Sequence, residues 1–266
     1  MGELTLGQYY PAESILHRLD PRVKLVGTIV YIVGLFQVSG VFGYLFAAAV
    51  LFVLVFLSKV PFSHVLKSLK PVFVLLCITM LINMFLIPGR VLWSFWILRI
   101  TAEGIRQAVT MGLRLIFLVM GSSIMTLTTT PNALTDAMEN LFGFLRIVKV
   151  PVHEISMMMS IALRFIPILT EEMDKIRKAQ MARGADFESG GLIRRLKAMI
   201  PLLVPLFVSA FRRANDLAMA MEARCYHGGD GRTRMKPLRY AAADFVAYGL
   251  LAAFLAGCIV FRVTGL

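Results

Sequence analysis

Between Lys24 and Lys59 the chain runs for 34 residues, Leu25 to Ser58, without one charged side chain. A bilayer span takes roughly 20 residues, so this stretch is about the length of two tight spans, with tilt or snorkelling at their ends. The break at Ser39-Gly40 makes it a hairpin. Composition points the same way: the 266 residues are 58% hydrophobic and 17% charged, with a mean hydropathy of +0.75. An ordinary soluble domain is about a quarter charged, so a water-soluble enzyme fits this chain poorly.

Three further apolar runs complete an expectation of five spans. Pro71 to Gly89 lies between Lys70 and Arg90, with Trp93 and Trp96 just beyond it as aromatic-belt residues. The fourth run, about Gln107 to Thr130, contains one charge, Arg114; the fifth, Phe245 to Phe261, lies between Asp244 and Arg262. Arg114 has two readings: a functional intramembrane cation, or a side chain that snorkels to the interface. No basic leader with a short apolar core and small-residue cleavage site opens the chain, so no removable signal peptide is expected. Cys77, Cys225 and Cys258 are too few and too widely spaced for a disulfide scaffold or a zinc site and are expected as buried apolar thiols.

The surplus of basic residues sets the orientation. Lys and Arg number 28 against 16 Asp and Glu, and 23 of the 28 fall on one side when the N-terminus is inside. The positive-inside rule then makes 1–24 a cytoplasmic segment, 25–130 four spans, 131–240 a cytoplasmic domain and 241–266 the fifth span. Asp20 is a natural helix N-cap with Pro21 at the first helical position, and Arg22 and Lys24 anchor the first span. His17, beside that helix start, has no triad partner nearby and reads as structural.

Helix signals recur through the cytoplasmic domain. Pro131-Asn132 opens a short amphipathic helix. A long helix over about Val152 to Ala182 is apolar at Met157, Met158, Ile161, Phe165, Ile168 and Leu169, turns polar from Glu171, and stops at Arg183-Gly184. A second, after the Gly190-Gly191 break, begins basic, is apolar from Ala198 to Phe211 with Pro201 and Pro205 inside, and ends at Ala223-Arg224-Cys225 before Gly228-Gly229. Its 14 uncharged residues are too few for a comfortable span. Each interior proline is expected to kink it. Both long helices finish in Ala-Arg. One such arginine is explained as a C-cap, but two suggest guanidinium groups that clamp carboxylates in a partner's groove, the small alanine permitting close approach. Eight methionines from Met157 to Met221 suit either a repacking surface or ordinary core filling.

Taken in order, Leu16-His17-Arg18-Leu19-Asp20-Pro21-Arg22, Leu163-Arg164-Phe165-Ile166-Pro167, Ala179-Gln180-Met181-Ala182-Arg183-Gly184 and Ala220-Met221-Glu222-Ala223-Arg224, followed by Gly228-Gly229 and Arg232-Thr233, resemble the transmembrane T component of energy-coupling factor (ECF) transporters. These are bacterial and archaeal ABC-type importers of vitamins and transition-metal ions. The resemblance covers most of the chain. It implies an all-α integral membrane protein of about five spans, with a cytoplasmic pair of long coupling helices inserted before the last. It also implies that Ala182, Arg183, Gly184, Ala223, Arg224 and Cys225 seat in grooves of two ECF ATPase subunits. Met157, Met158, Ile161, Phe165, Pro201 and Pro205 would meet a separate substrate-binding S component. The family pattern favours Ala-Arg-Gly at both helix ends, so Cys225 is a departure that bears on local cap geometry.

Rival functions lack their residues. A stand-alone secondary transporter calls for intramembrane carboxylates or inverted halves, and every Asp and Glu here lies outside the expected spans. No paired carboxylates, histidine cluster or Cys-His set points to catalysis or a metal site, and no Gly-x-x-x-x-Gly-Lys-Ser/Thr phosphate loop is present. No cofactor is expected. The 17 basic residues of the cytoplasmic domain are offset by 11 acidic ones mixed along helices, which argues against nucleic acid. The expected partners are the two ATPases, the S component and the lipid membrane.

Overall fold

The computed structural model describes residues 9–95, 98–187, 191–228 and 237–264. Trp96, Gly190, Gly229, Arg232 and Thr233, named above, lie outside the described residues. The chain forms two compact units, Met1–Ala137 with Pro237–Leu266, and Met138–Lys236.

In the first unit, α1 (Ile15–Arg18) is one turn capped by Ser14, whose hydroxyl accepts from the His17 amide. The expected cap of α2 (Pro21–Gln37) forms: Asp20 accepts from the Arg22 amide and Pro21 takes the first position. After Val38 and Ser39 comes α3 (Gly40–Ser58), closed by Lys59 in the left-handed region at φ 54°. There follow α4 (Phe62–Lys67), a 3-10 turn (Lys70–Val72), α5 (Phe73–Leu86), α6 (Ala102–Thr128), α7 (Pro131–Leu141), whose end passes the unit boundary, and, after the second unit, α10 (Ala242–Thr264). An antiparallel hairpin, β1 (Val91–Phe95) with β2 (Leu98–Thr101), connects α5 to α6 and pairs Phe95 with Leu98. The all-α membrane class holds, and this hairpin is its one unexpected addition among the described residues.

The core of this unit gathers where α2, α3, α6 and α10 meet, around Leu35, Ala47, Met120, Ile124 and Phe254. The Phe254 ring stacks on Tyr31 at 5.6 Å and on Phe46 at 5.9 Å between centroids. A β-carbon at Gly34 would stand 2.6 Å from the Phe254 ring, so α2 and α10 approach through a missing side chain. No residue of α5 is buried within the chain. Phe73, Val74, Leu75, Leu81 and Leu86 are each more than half exposed, while Met80 packs beside Gly112 of α6.

Arg114 settles into a local role. Its Nη2 donates to the carbonyl of Val38, the C-cap of α2, at 3.1 Å, and its guanidinium lies 5.7 Å from the Phe36 ring. A cation at that helix end satisfies an orphan carbonyl and opposes the helix dipole. His17 is likewise structural in geometry, its two ring nitrogens 2.7 Å from Ser14 Oγ and 3.0 Å from the Tyr10 carbonyl oxygen. The expectation of three buried thiols needs correction: Cys258 is buried, Cys77 half-buried and Cys225 exposed. Cys225 stands just past the C-cap of a helix, in a left-handed turn.

The second unit holds the remainder of α7, a 3-10 segment (Phe142–Val148), and the two long helices α8 (Val152–Ala182) and α9 (Leu192–Ala223). Both run unbroken through their prolines, Pro167 in α8 and Pro201 and Pro205 in α9. Among the described residues, five helical stretches are long and apolar enough to cross a membrane: Gly40–Ser58, Phe62–Leu86, Ala102–Thr128, Val152–Ala182 and Ala242–Thr264. That set differs from the five expected spans in one member, α8 standing in place of α2. At 17 residues α2 is short for a span, and α8 qualifies through its apolar first half.

Candidate functional site

The two Ala-Arg ends have the same backbone. In α8, Arg183 is the C-cap and Gly184 follows with φ +86°; the Gly184 amide donates to Met181 O at 3.0 Å and the Ala185 amide to Gln180 O at 3.0 Å. In α9, Arg224 is the C-cap and Cys225 follows with φ 54°; the Cys225 amide donates to Glu222 O at 2.8 Å and the Tyr226 amide to Met221 O at 3.0 Å. Each is a Schellman motif, with 5→2 and 6→1 bonds satisfying carbonyls that a helix leaves orphaned. Cys225 therefore reproduces the glycine geometry at a non-glycine residue. Ala182, Arg183 and Gly184 are exposed, as are Ala223, Arg224 and Cys225. Since backbone amides already satisfy the last carbonyls, neither guanidinium is consumed by capping.

The helices meet in opposite senses. Glu172 of α8 accepts from Arg213 Nη2 of α9 at 2.7 Å. Ile161, Phe165 and Leu169 line a cavity of about 240 Å³ with Ala210, Leu217 and Ala218. Still earlier on α8, Met157, Ile161 and Phe165 share a cavity of about 650 Å³ with Leu217, Met221 and Arg224. As α8 is followed backwards, α9 is followed forwards, which sends Arg183 and Arg224 away from their common crossing in opposite directions.

The structure thus groups the expected residues differently from their two intended surfaces. Met157, Ile161 and Phe165 lie beside Arg224 and Cys225 in the larger cavity, together with Arg164 and His227. Met158 points away and is exposed, and so are Pro201 and Pro205 on the first half of α9. Reading the sequence missed the Glu172–Arg213 pair and the contribution of His227. The pair was detectable only as opposite charges at matching distances before two similar helix ends. Among the described residues no group of three or more His, Cys, Asp or Glu could hold a metal ion.

The family model for CbiQ, described as cobalt transport protein, matches residues 12–236. A protein of Thermosediminibacter oceani is 52% identical over 255 residues, covering 95% of this chain and 96% of its own length. One of Ruminiclostridium cellulolyticum is 51% identical over 95% of each chain, and one of Bacillus subtilis 44% identical over 96% of this chain and 98% of its own. All three are named energy-coupling factor transporter transmembrane protein EcfT.

Proposed function

The chain belongs to the CbiQ family of energy-coupling factor transporter transmembrane proteins, and from that premise we propose that it is the T subunit that carries ATP-driven motion from two ATPases to a substrate-binding S component. The observation that carries this reading is the pair of matching, exposed Ala-Arg helix ends directed away from one crossing. A guanidinium held at a rigid, already satisfied helix end is free to clamp a carboxylate on a partner. Two such ends facing opposite ways suit two partners of one kind. Closure of those partners then moves the crossed helices as rigid levers.

The membrane spans in this reading are α2 from Leu25 onward, α3, α5, α6 and α10, with α8 and α9 on the cytoplasmic side. A crossing by α8 would carry every basic residue from Lys175 to Arg239 to the other face, leaving only Arg146, Lys149 and Arg164 of that domain's set behind. The positive-inside rule opposes that arrangement. The exposed apolar residues of α8 and α9, Met158, Phe207 and Phe211 among them, then meet the S component, which carries the specificity for a vitamin or metal ion.

The test is copurification followed by uptake in proteoliposomes, with radiolabelled B vitamins and Co²⁺ as probes. Two ATPase subunits and one small membrane protein should accompany the chain, and uptake should require ATP. Uptake by the chain alone, without ATP, would instead make it a stand-alone secondary carrier.

A further inference from the structure

The first unit contains a concentration of buried charge remote from the Ala-Arg ends. Asp20, Lys24 and Asp244 are only 6%, 9% and 2% exposed. Asp20 accepts from Arg22 Nε at 3.0 Å and Nη2 at 2.8 Å. Asp244 accepts the Asp20 amide at 2.9 Å through Oδ1 and the Ala241 amide at 2.7 Å through Oδ2. The Arg22 guanidinium lies 4.0 Å from the centre of the Tyr240 ring. Lys24 Nζ donates to Thr128 O at 2.9 Å and to His17 O at 3.3 Å, while the Tyr10 amide donates to Leu127 O at 2.9 Å.

Burying two carboxylates and two cations is costly even when they are paired. Anchoring a span at the interface needs only exposed Arg and Lys, so the cluster calls for another explanation. Among the described residues, its longer-range bonds join the N-terminal segment to two places, the last turn of α6 at Leu127-Thr128 and the run into α10 from Tyr240 to Asp244. Those are the segments by which the chain leaves the first unit after Ala137 and returns to it at Pro237.

We propose that Asp20, Arg22, Lys24, Tyr240 and Asp244 form a clasp that fixes both attachment points of the coupling helices to α2, so that motion of those helices reaches the membrane spans instead of dissipating in the connections. The inference rests on the coupling reading above. Its residues are positioning residues that act by holding Thr128 and Tyr240 in place. Coupling travels only through an element that moves as a body, and two free connections would each absorb displacement. Gripping both from one helix removes that slack.

The decisive variant is Lys24→Met with Tyr240→Ala, which cuts one bond to each attachment point and leaves Asp20 and Asp244 in place. In the detergent-solubilised full chain, amide exchange at 127–131 and 238–244 should rise about tenfold or more, while α3 is unchanged. In the copurified complex, uptake of the same vitamin and Co²⁺ probes should fall about tenfold, with ATPase association and ATP hydrolysis within about twofold of wild type. Lys24→Arg with Tyr240→Phe keeps a donor and a ring and should restore both. Unchanged exchange overturns the clasp, and raised exchange with normal uptake overturns its role in coupling. Should the double variant fail to insert, Tyr240→Ala alone supplies the comparison, and normal uptake there is equally fatal. Normal uptake in Arg183→Ala/Arg224→Ala would reject the coupling reading itself, a result the exchange measurement does not depend on.

Discussion

Glu172 and Arg213 join α8 to α9 through a 2.7 Å ion pair, and each stands 11 residues before the arginine that ends its own helix. At a rise of about 1.5 Å per residue, Arg183 and Arg224 each lie about 16 Å along the axis from that bridge. Because the helices run in opposite senses, the pair lies midway between the two Ala-Arg ends, which in the proposed coupling role are the matched arms of a lever. Displacement at one end is then met by an equal arm at the other. The first prediction follows from the pair's partial exposure, 31% for Glu172 and 38% for Arg213. Glu172→Gln, Arg213→Met and the double variant should show a small, non-additive stabilising coupling in thermal unfolding, as expected of a partly exposed bridge. A coupling energy of zero would mean the crossing is held by apolar packing alone.

Removing the two guanidinium groups tests the lever's ends. Each charge-assisted contact is worth about 1.5–3 kcal/mol, so Arg183→Ala or Arg224→Ala alone should weaken ATPase association and the pair together should abolish uptake. Membrane insertion should be normal, because both side chains are exposed and leave no buried group unpaired. Lysine at both positions should recover only part of the loss, since it cannot bond a carboxylate in bidentate fashion. Copurification and uptake, compared against membrane-fraction yield, distinguish these outcomes.

The non-glycine residue at φ 54° gives a test of local strain at Cys225. A left-handed conformation costs a residue with a β-carbon about 1–2 kcal/mol, partly offset by the chain entropy glycine loses on folding. Cys225→Gly should therefore stabilise the second unit by up to about 1 kcal/mol, and Gly184→Ala should destabilise it by a similar amount. Nothing lies within 4 Å of a β-carbon placed at Gly184, so conformation alone decides the sign there. Equal melting temperatures for both variants and wild type would contradict the shared cap geometry.

Local chemistry made much of this legible in the sequence. Pro151 and Gly184 bracket α8, Gly191 and Arg224 bracket α9, and Asp20-Pro21 starts α2, because caps and breakers act within a few residues. The features that had to await coordinates join residues distant in sequence: Glu172 with Arg213, 41 apart, and the Asp20 amide with Asp244, 224 apart. Neither leaves a periodic trace. Cys225 was misjudged for a different reason. A cysteine is ordinarily an apolar filler, whereas its φ of 54° and the 6→1 bond from Tyr226 show that its backbone takes a glycine's place.

Two groups of the clasp, both before Leu25 where the uncharged stretch begins, have folded pKa values below their ordinary ones, so each makes stability rise with pH, in separate windows. Burial raises the Asp20 carboxyl, but hydrogen bonds from the Arg22 side chain and amide and the charges of Arg22 and Lys24 outweigh it, holding Asp20 below its ordinary value of 3.8. A folded pKa below the unfolded one means the unfolded chain binds the proton first as pH falls. The stabilisation from Asp20 is thus complete above about pH 5 and disappears as pH drops through the depressed folded value. Lys24 is pushed down to about 8, chiefly by burial, with Asp20 and Asp244 opposing, from an ordinary value of 10.5. Between those two values the folded chain releases its proton first, so stability rises with pH. Unfolding curves in detergent should show the difference between wild type and Asp20→Asn shrinking below pH 4, and Lys24→Met should flatten the alkaline rise. A difference for Asp20→Asn that stays constant down to about pH 2 would show that its carboxylate charge contributes nothing to the clasp.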